Sequence, residues 1–235
     1  MSAAGESSGF PTFRPVADHA LLIELGDSIR DDIHARVLAL DAALSRSPPP
    51  GLIETVPAYA SLLIEFDPLI ADHEAVRAAA SALLDTAATA AIAAQTREIL
   101  VCYDIDLAPD LAEVAARCGR SVEEVIAAHC GADYRVYMYG FAPGYAYLAG
   151  VPPELQLPRK AAAVRNVPAG SVLIAGPQCL VSTLTMPTGW WIIGRSPTRI
   201  LREHDERPFL LDVGDRVRFK RIDRARLEAL TAEAS

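Results

Sequence analysis

The sequence predicts an α+β protein in which a ferredoxin-like split-βαβ domain is followed by a β-barrel domain. Apolar runs of strand period and helix period alternate through the first part of the chain, and a turn-rich stretch of short strands follows. Of the 235 residues, 51% are hydrophobic. A chain of this length and composition can bury one large core or two modest ones.

The first part of the chain has the predicted order β-α-β-β-α-β. HALLIEL, from His19 to Leu25, has the character of a buried strand, and an amphipathic helix follows it as far as the loop SRSPPPG. LIETV and ASLLIEF predict two more strands, and Asp72 can cap a second helix. REILVCYD, which begins at Arg97, predicts the last strand. In the split-βαβ arrangement, two helices cover one face of an antiparallel sheet.

The second part opens with two short helices, the later of which carries a capping box formed by Ser121 and Glu124. Between Gly140 and Pro197 lie seven of the 14 glycines and eight of the 17 prolines. They separate the strand candidates YRVYMY, SVLIAG, CLVSTL and WWIIG, and GDRVRFKRI supplies a last strand. So many short strands and turns predict a closed or nearly closed β architecture, because an open sheet would leave edges unprotected.

These patterns predict four segments. Residues 1–9 form a disordered lead without the features of a secretion signal, and residues 10–95 form the ferredoxin-like domain. Residues 96–222 form the barrel domain, and residues 223–235 form a helical tail.

Charge and composition exclude several classes of function. The formal net charge of −8 argues against a nucleic-acid partner, and the most apolar stretch is too polar for a membrane span. The four cysteines contain no C-x-x-C pair, and the histidines have no partner at ligand spacing, so no metal site is expected. A cytoplasmic location fits this cysteine usage. The chain contains no phosphate-binding loop motif, so it is not expected to bind ATP by itself.

Several side chains are candidates for chemistry on residue type alone. His129 ends a predicted helix, where it either interacts with the helix dipole or acts in catalysis. Arg159, Arg165 and Arg195 lie in the turn-rich segment and either clamp a carboxylate or phosphoryl group or are simply solvated. Strand alternation directs one indole of Trp190 and Trp191 to the core and the other outward.

The uncharged strip YMYGFAPGYAYLAG, from Tyr137 to Gly150, combines aromatic surface with backbone freedom. It lies within a run, YRVYMYGFAPGYAYLAGVPPELQLPR, which continues in VPAGSVLIAGPQ and PTGWWIIGRSP. These segments resemble the signature of the KipI-type family, also called allophanate hydrolase subunit 1, which includes the PxpB-like, B-type subunit of 5-oxoprolinase. HALLIELGDSI and ETVPAYASLLIEFDP resemble the N-terminal module of the same family.

The resemblance implies a small α+β domain followed by a cyclophilin-like β-barrel. It also implies one subunit of a cytoplasmic, ATP-dependent 5-oxoprolinase that opens 5-oxo-L-proline to L-glutamate and is inactive alone. The implied partners are a C-type subunit of the KipA kind (allophanate hydrolase subunit 2) and an A-type subunit of the LamB/YcsF kind. The substrate would be a small amide or lactam, and ATP would be shared with the partner subunits.

The resemblance also supplies candidate site residues. The catalytic candidates are His129, Arg159, Arg165 and Gln178. The candidates for binding substrate or partner are Tyr134, Phe141, Pro143, Gly144, Tyr147, Gly170, Ser171, Trp190 and Arg195. Fixed donors in a partly dry pocket would stabilise charge that develops on the amide oxygen.

Several positions depart from the family pattern, four of them with a change of polar group or of glycine, which leaves the identity of the lactam or amide open. Where many relatives have GNQTGIYPLESPGGW, this chain has GPQCLVSTLTMPTGW, with changes at Pro177, Cys179, Ser182 and Thr188. Two alternative functions come from the same resemblance. One is the carboxyltransferase part of a biotin-dependent urea or amide carboxylase, and the other is a KipI-like inhibitor of a sensor histidine kinase.

Overall fold

A computed structural model describes residues 9–86, 94–202 and 206–233 of the chain. The predicted disordered lead lies outside the described residues, apart from Gly9. The chain divides into two units, Met1–Ala93 and Ala94–Ser235. Among the described residues, no helix combines the length and apolar character that a bilayer span requires.

The first unit contains a four-stranded antiparallel sheet in the order β1-β2-β4-β3, with two helices. The strands are β1 (Thr12–Val16), β2 (Ala20–Glu24), β3 (Leu52–Pro57) and β4 (Ser61–Phe66). The helices are α1 (Asp31–Arg46) and α2 (His73–Thr86). The predicted cap of α2 is present, since Asp72 Oδ1 accepts a hydrogen bond from the Ala75 N–H at 2.8 Å.

Alternate residues of β2 and β4 pack against both helices and form the core of this unit. Ile23 and Ile64 are fully buried, as are Val37 and Leu40 of α1. Because residues i and i+2 of a strand share a face, this alternation places both helices on one side of the sheet. The predicted α+β class, with two helices covering an antiparallel sheet, is confirmed.

The second unit contains a seven-stranded sheet in the order β12-β9-β10-β7-β6-β13-β5. Its strands are β5 (Thr96–Val101), β6 (Tyr134–Tyr139), β7 (Ala146–Ala149), β9 (Ser171–Ala175), β10 (Gln178–Val181), β12 (Trp191–Arg195) and β13 (Arg216–Arg221). A separate two-stranded sheet pairs β8 (Val164–Val167) with β11 (Met186–Thr188). The helices are α3 (Leu111–Arg117), α4 (Val122–Gly131) and α5 (Arg224–Glu233), and a 3-10 turn spans Pro153–Leu155.

Two hydrogen bonds nearly close the seven-stranded sheet into a barrel. The Cys102 N–H donates to the Arg195 carbonyl at 2.8 Å, and the Arg195 N–H donates back to the Cys102 carbonyl at 2.9 Å. Cys102 directly follows β5 and Arg195 ends β12, so this bridge joins the two edge strands of the sheet. The predicted barrel is therefore confirmed, together with the strands predicted from YRVYMY, SVLIAG, CLVSTL and WWIIG.

The segment REILVCYD, predicted as the last strand of the β-α-β-β-α-β order, belongs to the barrel sheet, which agrees with the predicted domain boundary at residue 96. β5, predicted from REILVCYD, pairs in parallel with β13 over its whole length. The edge position beside β2 is taken by β1, where the sequence predicts no strand. β1 has the sequence TFRPV and no buried residue, so no alternation of apolar and polar side chains marks it. Pro15 is compatible with an edge strand because one side of such a strand needs no donors.

The two adjacent tryptophans, where β12 begins, contribute to two different apolar clusters. Trp191 packs in the barrel core with residues such as Val172 and Phe219, whereas Trp190 packs with Tyr145 and Leu173 in a second cluster. The two indoles lie in separate clusters, as strand alternation predicts, but the prediction that one of them faces outward is wrong. Neither indole is exposed, because Trp190 and Trp191 are only 5% and 4% accessible.

Candidate functional site

A cleft of about 1070 Å³ lies in the second unit, between a loop and one face of α5. The loop runs from Ser196 to Arg202 and continues directly from β12. The helix contributes side chains one turn apart, including Arg224, Leu227 and Thr231. Since residues three and four apart share a helix face, α5 presents a continuous wall to the cleft.

Arg195, at the end of β12, provides a partly buried guanidinium to this cleft. Its Nε atom is buried and has no hydrogen-bond partner among the described residues. Its Nη1 donates to the Ala169 carbonyl at 3.4 Å, which is a long hydrogen bond. Burial lowers the pKa of the Arg195 guanidinium from its ordinary value. The guanidinium of Arg195 therefore lines the cleft and makes few hydrogen bonds within the described part of the protein.

Two of the predicted glycines shape the walls of the cleft. Gly170 has a φ of +80°, and a Cβ there would lie 2.6 Å from the Ser196 carbonyl oxygen. Gly144 has a φ of +73°, and a Cβ there would lie 3.0 Å from the side chains of Leu201 and Thr183. Both positions require a left-handed backbone and have no room for a side chain, which only glycine satisfies. The backbone freedom of the sequence strip around Gly144 therefore serves the cleft wall.

The serines beside the cleft are hydrogen-bonded within the protein. The Ser171 and Ser182 hydroxyls both donate to the Pro168 carbonyl, at 2.8 and 2.9 Å, and the Ser171 N–H donates to Ser182 Oγ at 2.9 Å. On the other wall, the Thr183 hydroxyl donates to the Pro143 carbonyl at 2.6 Å. These groups hold the turns that carry Gly170 and Gly144, so the predicted residues Pro143 and Ser171 have a structural part in the cleft.

Three further arginines line the cleft: Arg199, Arg202 and Arg224. Arg224 is held by Asp104 at 3.0 Å and by a second ion pair with Asp106. Sequence reasoning missed all three. The segment RSPTRILR places three arginines within eight residues, which is the signal that could have identified two of them. Arg224 lies far along the chain and has no such signal.

His129 and Tyr134 lie in the barrel core and not at the cleft. His129 is fully buried, and its ring packs against Tyr134 and Phe219 at centroid distances of 5.4 and 4.4 Å. Burial lowers the pKa of His129 to about 3, so the imidazole is neutral. Tyr134 is 1% exposed, and its hydroxyl has no hydrogen-bond partner among the described residues.

Two side chains lie within reach of the His129 ring nitrogens. The Tyr103 hydroxyl is hydrogen-bonded to His129 Nδ1 at 2.7 Å, and burial raises the pKa of Tyr103 well above its ordinary value. The phenol therefore keeps its proton, and its oxygen also lies 3.3 Å from the Cys130 sulfur. Nε2 lies 3.7 Å from the Cys179 sulfur, and burial raises the pKa of that thiol. This cluster is uncharged, and its geometry favours a structural role.

A third group of predicted residues forms an aromatic face. Tyr147 contacts Trp190 edge to face at 6.0 Å, and the Arg159 guanidinium lies 5.6 Å from the centroid of the Trp190 ring. Phe141 is 75% exposed, has a φ of +72°, and contacts the Tyr145 ring at 5.7 Å. A large apolar side chain in this rare conformation marks a position that protein stability alone does not explain.

The remaining predicted residues lie apart from these three groups. Arg165 is exposed on β8, and Gln178 begins β10, where it pairs with Ala149 and Ala175. Of the predicted residues, Gly170 and Arg195 thus line the cleft. Pro143, Gly144 and Ser171 lie behind it, in contact with the lining residues Thr183, Leu201 and Ser182.

The four departures from the family pattern lie in different places. Cys179 lies in the barrel core beside His129, and Ser182 lines the cleft. Pro177 is exposed in the turn between β9 and β10. Thr188 accepts a hydrogen bond from the Trp190 N–H at 3.1 Å. Of these four departures, Ser182 is therefore the one that lines the cleft.

Comparison with known proteins gives a near full-length match. The family described as carboxyltransferase domain, subdomain C and D, matches residues 11–211. A protein of Bacillus subtilis (strain 168), named as the B-type subunit of 5-oxoprolinase, is 36% identical over 231 residues, which cover 94% of this chain and 96% of that protein.

Solved structures agree with this match. The crystal structure of TTHA0988 is 40% identical with a TM-score of 0.78, covering 88% of this chain but 40% of the TTHA0988 chain. The Kluyveromyces lactis urea amidolyase has a TM-score of 0.76 at 18% identity, covering 94% of this chain and 15% of that enzyme. At that identity the likeness concerns the fold alone.

Proposed function

The chain belongs to the family of the carboxyltransferase domain, subdomain C and D, and from this premise we propose that it is the B-type subunit of a 5-oxoprolinase-like complex. The complex opens the ring of a lactam, 5-oxo-L-proline being the first candidate, and couples this reaction to ATP hydrolysis. The observation that carries the proposal is the similarity to the B-type subunit of 5-oxoprolinase along nearly the whole of both chains.

The chain acts together with a KipA-type subunit and a LamB/YcsF-type subunit, and it is inactive alone. Its sequence contains no phosphate-binding loop motif, which supports placing ATP at a site shared with those subunits. ATP is a second substrate of the complex in this proposal.

The aromatic face supports a contact with another polypeptide. Phe141 is 75% exposed and contacts the buried ring of Tyr145, which packs with the partly buried Tyr147 and the buried Trp190 in one apolar cluster. Aromatic side chains are enriched in the centres of protein interfaces because they bury a large area with few rotatable bonds. We assign this face to the contact with the KipA-type subunit.

The proposal is tested by reconstitution. The chain is co-expressed with the KipA-type and LamB/YcsF-type proteins of the same genome, and the purified complex is given 5-oxo-L-proline and ATP. Glutamate and inorganic phosphate should be released together, and omitting this chain, either partner or ATP should abolish both products. Other lactams, such as 2-pyrrolidinone and hydantoin, then define the substrate range.

A complete complex that opens no lactam would defeat the proposal. Streptavidin capture of a biotinylated carrier protein with the complex would favour the carboxyltransferase alternative instead. The likeness to urea amidolyase does not favour that alternative by itself, because it rests on 18% identity.

A further inference from the structure

We propose that the cleft between the Ser196–Arg202 loop and α5 is a binding site for a small organic molecule that carries an oxyanion group, a carboxylate or a phosphate. Arg195 is the residue that contacts this group. The sequence pattern suggests that Arg159, Arg165 and Arg195 act together, but Arg159 lies over Trp190 and Arg165 is exposed on β8. Arg195 instead shares a cleft with Arg199, Arg202 and Arg224.

The hydrogen-bonding state of Arg195 points to a missing acceptor. A guanidinium has five N–H donors, and a buried donor without a partner costs free energy in the unliganded protein. Here the terminal nitrogens make one hydrogen bond to the described residues, the long contact to the Ala169 carbonyl, and Nε is buried out of reach of a ligand. A carboxylate or phosphate can accept from two guanidinium nitrogens at once, which matches the fork of donors.

The charge of the cleft contrasts with that of the whole chain. The chain has a formal net charge of −8, yet among the described residues four arginines and one carboxylate, that of Glu228, line the cleft. Arg224 is neutralised by Asp104 and Asp106. Within the described part of the chain, no carboxylate lies within ion-pair distance of Arg195 or Arg199. The cleft therefore attracts anions to a protein that otherwise repels them.

The dimensions and the apolar wall favour an organic ligand over a bare ion. The volume of about 1070 Å³ is at the upper end of the range of pockets for small molecules, roughly 300–1,000 Å³. Leu107, Ile200 and Leu227 line the cleft together with the arginines. Such a mixture of apolar surface and one fixed charged group is typical of sites that hold the body of a ligand and orient its charged end.

We infer the identity of the natural ligand from the proposed function. The inference that the cleft binds an oxyanion depends only on the geometry of the cleft. 5-Oxo-L-proline is a lactam that carries a carboxylate, so it has the chemistry that Arg195 selects. 2-Pyrrolidinone has the same ring without the carboxylate and serves as the matched control ligand.

The test measures binding to the full chain by isothermal titration calorimetry, without partner subunits and without turnover. The probes are 5-oxo-L-proline, L-glutamate, ATP, inorganic phosphate and 2-pyrrolidinone. At least one of the four oxyanions should bind at millimolar concentration or below, and 2-pyrrolidinone should not. Binding of the carboxylates identifies a carboxylate site, whereas binding of ATP or phosphate alone identifies a phosphate site.

Variants connect the binding to the cleft. Arg195→Gln should weaken binding by at least ~10-fold, since a hydrogen bond to a charged group is lost. Arg195→Lys should have a smaller effect because it keeps the charge. Ala232→Trp, which fills the cleft from α5, should abolish binding without changing its charge. Arg216→Gln changes an exposed arginine of β13 outside the cleft and should bind as the unchanged chain does.

Thermal unfolding of each unliganded variant verifies that it is folded. Failure of all four oxyanions to bind, or equal binding by Arg195→Gln and the unchanged chain, would overturn the inference. Equal binding of 2-pyrrolidinone and 5-oxo-L-proline would do the same. None of these results bears on the lactam-opening assay, and a complex that opens no lactam leaves the binding measurement intact.

Discussion

The barrel interior and the cleft each contain basic side chains, but those side chains differ in charge state and in hydrogen bonding. In the interior, His129 is fully buried, is hydrogen-bonded to Tyr103 and packs against aromatic rings. At the cleft, Arg195 keeps its charge and has a donor without a partner among the described residues. The histidine, which residue type alone marks as a catalytic candidate, is satisfied within the protein, while an arginine at a strand end is not.

Solvent access explains this difference. Charging a group in a dry interior is costly, so a buried histidine remains neutral and becomes part of the packing. A cleft that is open to water can keep several cations, because water and incoming anions both stabilise them. A test of either region must therefore measure different quantities: stability for the interior and ligand binding for the cleft.

The largest expected effect is that of His129→Leu on stability. At pH 7 this change should lower the free energy of unfolding by about 3 kcal/mol, since Tyr103 loses its hydrogen-bond partner and the ring contacts are lost. The pKa of His129 is about 3 in the folded protein against 6.5 in the unfolded chain. Between pH 6.5 and about pH 3, the imidazole is protonated in the unfolded chain but neutral in the folded protein. The free energy of unfolding therefore decreases as the pH falls through this range. Urea unfolding from pH 7 to pH 4 measures both effects.

The acid sensitivity separates the role of the histidine from that of its partner. The stability difference between the unchanged chain and His129→Leu should narrow as the pH falls from 6.5 towards 4. Tyr103→Phe removes the hydroxyl but keeps the titrating ring, so it should be less stable by about 1 kcal/mol with the acid dependence retained. If the difference in free energy of unfolding between the unchanged chain and His129→Leu is the same at all pH values, His129 is not held neutral in the core.

The second prediction concerns the backbone that frames the cleft. Gly170→Ala should cost about 2–3 kcal/mol, because it adds left-handed strain and a clash with the Ser196 carbonyl oxygen. Gly119→Ala is the matched control, since Gly119 has a φ of +63° and no atom within 4 Å of a built Cβ. That control should cost only the strain, about 1 kcal/mol. Urea midpoints measure the difference, and equal losses would mean that the cleft wall at Gly170 is not tightly packed.

Much of the fold follows from hydrophobic period and turn chemistry. The strands β6, β9 and β10 and the capping box of α4 are visible in the sequence because each depends on residues close together in the chain. The edge strand β1 and the parallel pairing of β5 with β13 cannot be recognised in the sequence. β1 has no buried residue, and the partner of β5 lies more than a hundred residues away, so neither leaves a local pattern.

The candidate site is predictable only in part, for the same reason. Gly144, Gly170 and Arg195 belong to recognisable segments, and the structure brings them together. Arg224 reaches the cleft from α5, which no local spacing connects with Arg195. The burial of His129 depends on rings contributed by β6 and β13, so the helix sequence alone cannot distinguish a buried histidine from an exposed one.

The smallest expected effect on stability is at Phe141, which separates function from folding on the aromatic face. Phe141→Gly should change the free energy of unfolding by about 0.5 kcal/mol or less, because the side chain is 75% exposed and glycine relieves the strain of a φ of +72°. Phe141→Ala, which keeps the strain, should be the less stable of the two. In the reconstituted complex both variants should bind the KipA-type subunit at least ~10-fold more weakly if this aromatic side chain is an interface anchor. Unchanged affinity in both, measured by interferometry on the purified subunits, would place the subunit contact elsewhere and leave the strained conformation of Phe141 to be explained by a different ligand.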